Sequence, residues 1–274
     1  MVDPYLEANR RRWDEMAELH PRTEFYDLAD LRAGGIHLPR LEQAEVGEVG
    51  GRSLLHLQCH IGTDTVSWVR LGARATGVDF SEVAVRQARQ LADECGVQAR
   101  FIHNDIATLP ALLDERFDIV YTSWGVLCWQ PDIAAWARAA SGFVAPGGFL
   151  YLAEFHPFLW TLEESPAGPV LTYDYFSGPA LAFDSQHSYA DPDTILRNQT
   201  EYGWNFALGD VITQLIDNGL RVEFVHEFPR CRARMLDVLV PEDSPGDRKP
   251  WWRMPVGRPQ IPLSFSLKAS RPAD

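Results

Sequence analysis

Between residues 51 and 155 short apolar runs alternate with stretches of helical spacing. The runs at 53–58, 75–80, 98–103, 117–123 and 148–155 predict strands. Helical patterns fill 64–72, 81–95 and 131–143, and a shorter turn covers 108–114. Strands and helices taking turns in this way predict a doubly wound α/β sheet, parallel over this stretch and covered on both faces by right-handed crossovers. Upstream, Tyr5 to Leu19 has helical spacing with Leu6, Trp13, Met16 and Leu19 toward one side, and His20-Pro21 ends it. Downstream, residues 156–206 carry five prolines and aromatic runs without a helical period, which predicts two or three antiparallel strands in a lid-like insertion. Order then returns with a helix over 208–218, a strand over 221–228 and a last strand over 263–269, interrupted by a second insertion at 229–262.

The stretch Ser53 to Thr65 reads as strand, tight turn and helix. A helix N-terminus there offers unpaired N–H groups and a positive dipole end, which suit an anionic or carboxylate-bearing ligand. Gly62, lacking a Cβ, would let backbone and ligand approach. The second strand ends in Asp79, placed to accept hydrogen bonds from ribose hydroxyls. Gln58 to Gly62, Asp79, Asp105 and Thr122-Ser123 all fall at the carboxyl ends of predicted strands, where such sheets bind ligands. The pattern is that of a nucleoside site.

These residues resemble the class I S-adenosylmethionine (SAM)-dependent methyltransferases. The first motif of that family, acid-x-Gly-x-Gly-x-Gly, corresponds here to His56, Gln58, His60 and Gly62, so only the last glycine is kept. Gly77-Val78-Asp79-Phe80-Ser81 resembles the second motif, Asn104-Asp105-Ile106 the third, and Phe117 to Ser123 the fourth. Pro146-Gly147-Gly148-Phe149 matches the turn into the fifth strand, and the LHLQCH-x-GTDT and GVLCW strings are similar to a bacterial subgroup. The resemblance implies a Rossmann-like seven-stranded sheet with its last strand antiparallel. It also implies one methyltransferase domain over 1–274, with a helical cap (1–50), a SAM-binding core (51–155), a β-rich lid (156–206) and a C-terminal part (207–274) that includes the 229–262 insertion. That insertion reads as another cap or as a homodimer contact.

In family terms Gly62 and its neighbours Gln58, His60 and Asp64 would meet the methionine end of SAM, and Asp79 the ribose. Phe80 would pack on the adenine, Asp105 would accept from its amino group, and Ile106 would lie beneath the ring. Thr122 and Ser123 would complete the cofactor site, with Trp13 and Tyr26 of the N-terminal cap near the ligands. Methyl transfer from a sulfonium is an in-line displacement in which positioning dominates, and a base is needed only where the acceptor must lose a proton. His156, directly after the fifth strand, is the candidate base or acceptor-positioning group, and Trp124 the shaper of the transfer pocket. Tyr173, Tyr175, His187, Tyr189 and Trp204 could form an aromatic lid over a planar or hydrophobic small molecule, although any short antiparallel sheet favours such residues. His56, mid-strand, reads as a satisfied core histidine.

Composition narrows the classes. A formal charge of −13 argues against a nucleic-acid partner, and the Arg10-Arg11-Arg12 run reads as a solvated helical face. No apolar run is long enough to span a bilayer, and no signal peptide opens the chain, so a cytoplasmic location is expected. The four scattered cysteines suggest neither a disulfide framework nor a zinc site, and no His/Asp/Glu set has ligand spacing, so no metal is expected. Three functions compete: methyl transfer from SAM to O, N or C of a small metabolite, a SAM-binding protein with a non-methylating or sensing role, and a nicotinamide-dependent oxidoreductase. Loss of the Gly-x-Gly-x-x-Gly pattern disfavours the third.

Overall fold

The structure, a computed structural model, describes residues 3–166 and 168–273. Five strands, β1 (Ser53–Leu57), β2 (Arg74–Asp79), β3 (Arg100–His103), β4 (Phe117–Ser123) and β5 (Val144–Phe155), are joined later by β6 (Arg221–Phe228) and β7 (Ser264–Ser270). They form one seven-stranded sheet in the order β6-β7-β5-β4-β1-β2-β3. β1 to β5 pair in parallel, whereas β7 runs antiparallel to both β5 and β6. The chain leaves β1 toward β2 and β3, then returns to β4 on the other side. The switch in strand order therefore lies between β1 and β4, where an open α/β sheet forms its ligand crevice.

Local chemistry sets the helix ends. α1 (Pro4–Leu19) starts with Pro4 at its first turn, and the Asp3 side chain accepts from the Tyr5 N–H at 2.8 Å. Short α2 (Leu28–Arg32) and α3 (Arg40–Val46) follow, and α4 (Thr63–Arg70) leads away from β1. α5 (Glu82–Glu94) is capped by Ser81, whose hydroxyl accepts from Ala84 N–H at 3.0 Å. Its Ala84, Val85, Ala88, Leu91 and Ala92 recur at three- and four-residue spacing and are buried. α6 (Ile133–Gly142) and α7 (Leu208–Asp217) cover the other part of the sheet.

The 156–206 region holds two small hairpins, Leu162–Glu163 with Val170–Leu171 and Leu181–Asp184 with Thr200–Gly203. The 229–262 insertion contains a three-stranded antiparallel sheet of Arg230–Cys231, Trp251–Arg253 and Val240–Glu242.

The arginine run at 10–12 is not one solvated face. Arg10 and Arg11 pair with Glu7 and Asp14, but Arg12 is buried and donates to the carbonyls of Ser185, Asn198 and His187 at 2.7–3.0 Å while pairing with Glu201. Successive helical residues sit about 100° apart, so the third arginine points inward under the second hairpin. Asn9 adds a reciprocal pair with the Tyr202 backbone, both bonds at 2.8 Å. α1 thus clasps the second hairpin.

Candidate functional site

A cavity of about 360 Å³ lies above the carboxyl ends of β1, β2 and β4. Its floor begins at the turn after β1, where Gln58 and His60 take left-handed φ values of 57° and 47°. Such values cost a non-glycine residue of order 1 kcal/mol or more each, and both positions are glycines in the family pattern. The side chains anchor the turn instead. Gln58 Nε2 donates to the Val126 carbonyl at 2.8 Å, and its Oε1 accepts from Trp136 Nε1 at 3.3 Å. The His60 N–H donates to Asp79 Oδ2 at 2.8 Å, and its ring Nε2 meets Nδ1 of His20 at 2.7 Å. Gly62 is needed for another reason than approach to a ligand: its φ is 78°, and a Cβ there would sit 2.9 Å from Ala88 Cβ and 3.0 Å from the Phe101 ring. It packs on the core and is not among the cavity residues.

Asp79 accepts from His60 N–H with one oxygen and from Ser81 N–H with the other, and it faces the cavity. Burial pushes its carboxyl up to about 6. Phe80, Asp105 and Ile106 line the cavity on the β2–β3 side, where Asp105 Oδ1 also accepts from Ala107 N–H at 2.8 Å. Trp13, from α1, closes that face edge-on to His60 and Trp129. The Trp13 indole N–H and His60 Nδ1 are buried without a hydrogen-bond partner. A hydrogen-bonding ligand in the cavity would relieve both.

Toward β4 stands an acidic network. Asp64, in the first turn of α4, accepts from Ser123 Oγ and from Thr63 Oγ1, each at 3.4 Å, and burial raises it to about 6. Behind it, buried Glu42 accepts from the Tyr121 hydroxyl and from Trp124 Nε1, and burial with the Asp64 charge pushes it up to about 8. Trp124 itself lines the cavity at a left-handed φ of 52°. The loop after it is fixed by Glu154, whose buried carboxylate accepts from the N–H groups of Gly125, Val126 and Leu127. Tyr26 lines the cavity and hydrogen-bonds Tyr189 through the two hydroxyls.

Several expected site residues lie elsewhere. His156 is turned away from the cavity: its Nε2 lies 2.8 Å from Glu227 Oε1 on β6, its Nδ1 accepts from Phe158 N–H at 3.1 Å, and Phe265 packs edge-on against it. Both ring nitrogens are engaged, so it is no base for this cavity. Thr122 donates to the Leu57 carbonyl at 3.2 Å inside the sheet. Tyr173 packs against Phe183, the Tyr175 hydroxyl accepts from the first N–H of α7 at 3.2 Å, and Trp204 belongs to the main core. None of these three lids the cavity. His56 is buried and shares a 2.8 Å bond with Thr65 Oγ1, and it also borders the cavity.

Other residues join the site that sequence patterns did not single out. The 229–262 insertion contributes Arg232, Met235, Arg248 and Lys249, and Phe25 and Trp160 add aromatic surface. For the four insertion residues the local signal is the basic and tryptophan content of 229–262, and Phe25 and Trp160 carry none. Among the described residues no group of three His, Cys, Asp or Glu side chains could hold a metal ion, and no helix is long and apolar enough to cross a membrane.

Residues 54–148 match the family profile described as a methyltransferase domain. The chain is 28% identical over 152 residues to ubiquinone biosynthesis O-methyltransferase of Bordetella pertussis, covering 56% of this chain and 59% of that protein. It is 33% identical over 143 residues to the enzyme of that name from a Methylobacterium species, covering 52% and 57% respectively. The match thus spans less than two thirds of these relatives. Among solved structures, an S-adenosylmethionine-dependent methyltransferase from Mesorhizobium loti superposes with a TM-score of 0.58 at 20% identity, over 88% of this chain and all of that one. A glycopeptide N-methyltransferase complexed with SAM gives 0.52 at 17% identity, over 85% and 92%. At these identities the structural likeness is one of fold, and it agrees with the sheet order described above. The family likeness of this chain is therefore to methyltransferase domains, and the profile match lies at residues 54–148, the stretch that carries β1 to β4 and the start of β5.

Proposed function

We propose that this chain binds SAM in the cavity above β1, β2 and β4 and transfers its methyl group to O, N or C of a small-molecule metabolite. The observation that carries this reading is the convergence of Asp79, Phe80, Asp105 and Ile106 at one end of a cavity whose other end holds Asp64, Ser123 and Trp124. When bound, SAM supplies an activated sulfonium methyl that a nucleophile can displace in line.

The chain's own residues do the rest. Asp79 is fixed by two backbone N–H groups and keeps lone pairs for ribose hydroxyls, while Phe80 and Ile106 offer apolar faces and Asp105 an acceptor for an adenine amino group. Trp13 Nε1 and His60 Nδ1, buried and unpartnered, are donors or acceptors held ready for the ligand. α1 and the clasped hairpin exclude water, which strengthens the electrostatics within. Trp124 forms a wall of the transfer pocket, oriented through Glu42. Where the acceptor must lose a proton, Asp64 takes the place first expected of His156. It faces the cavity, its ordinary carboxylate range is shifted to about 6, and Ser123 orients it.

Parallel titration calorimetry with SAM, S-adenosylhomocysteine and NADPH tests the reading. Micromolar binding of the two sulfur nucleosides alone is expected, and binding of NADPH alone would overturn it. A screen of small metabolites for a gain of one methyl by mass spectrometry then follows.

A further inference from the structure

Two cations of the 229–262 insertion reach the cavity without an acid partner. Arg232 and Lys249 both line it, yet among the described residues neither has a carboxylate within 4.0 Å. Arg232 donates from Nη1 to the Lys249 carbonyl at 3.2 Å and lies over the Trp251 ring at 4.9 Å, and Lys249 Nζ lies 3.3 Å above the Phe25 ring. Of the insertion's other arginines, those at 230, 234, 248 and 253 are each paired, with Glu242, with Asp237, with Asp27 and Asp30, and with Glu242, whereas Arg258, without a carboxylate within 4.0 Å among the described residues, is exposed to solvent and away from the cavity. The contrast is informative in a chain with 38 acidic and 25 basic residues, where acid partners are plentiful.

Like charges held together in a low-dielectric wall are unfavourable. Burial, with the charges of Arg232 and Arg248, pushes Lys249 down to about 8. Asp64 faces both cations from α4, Asp247 and Glu42 also face Arg232, and Asp27 faces Lys249, but none comes within ion-pair distance, and Asp64 is already bonded to Ser123 and Thr63. Beside the cations the wall is aromatic. Trp251 packs edge-on against Trp124 at 5.7 Å, Trp124 against Phe155 at 5.5 Å, and Phe155 against Trp160 at 6.1 Å. Three of these four rings, Trp124, Phe155 and Trp160, line the cavity itself.

We propose that Arg232 and Lys249 form an anion subsite for the acceptor, which is a small organic acid whose flat apolar body lies against Trp124, Phe155 and Trp160. The charged group is a carboxylate or phosphate, held by the guanidinium fork and the ammonium together. This subsite rests on the methyl-transfer reading, which identifies the other end of the cavity with the nucleoside. The same chemistry would also suit the methionine carboxylate of SAM, so the test separates the two sources.

The full chain, Arg232→Met and Lys249→Met are each titrated with S-adenosylhomocysteine, and then, saturated with it, with benzoate, inorganic phosphate and neutral benzamide. The expected result is nucleoside binding within threefold across all three proteins. Benzoate should bind the native chain, weaken at least tenfold in either variant, and outbind benzamide. Lys249→Arg, which keeps the charge, should retain benzoate binding, and this separates loss of charge from loss of fold. Nucleoside affinity that falls tenfold in the variants would assign the cations to the methionine carboxylate and overturn the proposal. So would failure of the native chain to bind either anion. Silence from the nucleoside itself is a failure of the methyl-transfer reading instead. The benzoate titration of the unliganded proteins then decides the subsite by the same contrast.

Discussion

The backbone N–H of His60 donates to Oδ2 of Asp79 at 2.8 Å, so one carboxylate holds both the turn after β1 and the end of β2. Asp79→Ala removes the proposed ribose acceptor and leaves the N–H groups of His60 and Ser81 without this partner. The expected loss is about 1–3 kcal/mol of SAM affinity, roughly 5- to 150-fold, with a fall in melting temperature as well. Asp79→Asn keeps the shape and one acceptor oxygen, and should lose less of both. Calorimetry and thermal unfolding read the two effects separately, and unchanged SAM affinity in Asp79→Ala would remove this residue from the site.

His156→Ala should leave SAM affinity and turnover within about threefold while lowering stability, because the side chain bridges Glu227 and the Phe158 N–H away from the cavity. The stability cost is about 1 kcal/mol, because Glu227 is exposed and regains water while only the half-buried Phe158 N–H loses its partner. Steady-state kinetics with any identified acceptor checks this. A hundredfold fall in kcat with native stability would return His156 to the chemistry.

The parallel core was legible because its signals are local. Each strand from β1 to β5 is a short apolar run flanked by turn residues, and Asp79, Phe80, Asp105 and Ile106 meet simply because they end neighbouring strands. His156 also stands at a strand end, but β6 and β7 pair beyond it and bring Glu227 to its ring, a consequence of antiparallel pairing across 71 residues that no local pattern carries. Arg232 and Lys249 carry no local site pattern for the same reason. Cys231 pairs with Trp252 across the insertion's small sheet, and only that pairing brings the two cations to one cavity wall. At Gln58 and His60 the sequence broke the glycine pattern while the backbone kept the left-handed geometry, through side-chain anchors that became visible only in three dimensions.

The acidic network at α4 predicts a pH profile. Asp64 accepts a proton only when ionised, so kcat/KM should rise with pH through about 6. The proposed anionic acceptor is held by Arg232 alone once Lys249 loses its charge, so the profile should fall above about 8. Asp64→Asn should abolish the acid limb and lower kcat by about 10²- to 10⁴-fold, the usual contribution of a positioned base, with SAM affinity kept within threefold. Lys249→Arg should move the alkaline limb upward. An unchanged acid limb in Asp64→Asn would show that the proton goes elsewhere.

Stability should carry its own pH signature through His20 and His60. His20 is buried between His60 and the Ser188 hydroxyl, and burial with the neighbouring imidazole pushes it down to about 2, while burial alone holds His60 at about 3. An unfolded histidine titrates near 6.5, so between about 3 and 6.5 the unfolded state binds the extra proton and stability falls as pH is lowered. The raised carboxyls of Asp79, Asp64 and Glu42 act in the opposite sense over part of that window, so the native profile alone does not isolate the pair. A difference measurement does. His20→Gln should be less stable than the native chain at pH 7.5, having lost a fitted pair of hydrogen bonds. That gap should narrow as pH falls, by up to about 1.4 kcal/mol per unit, or roughly 2 kcal/mol between pH 6.5 and 5. Urea titrations at four pH values measure it. A gap that stays constant would mean that His20 is protonated in the folded state and that its bond to His60 is charge-assisted.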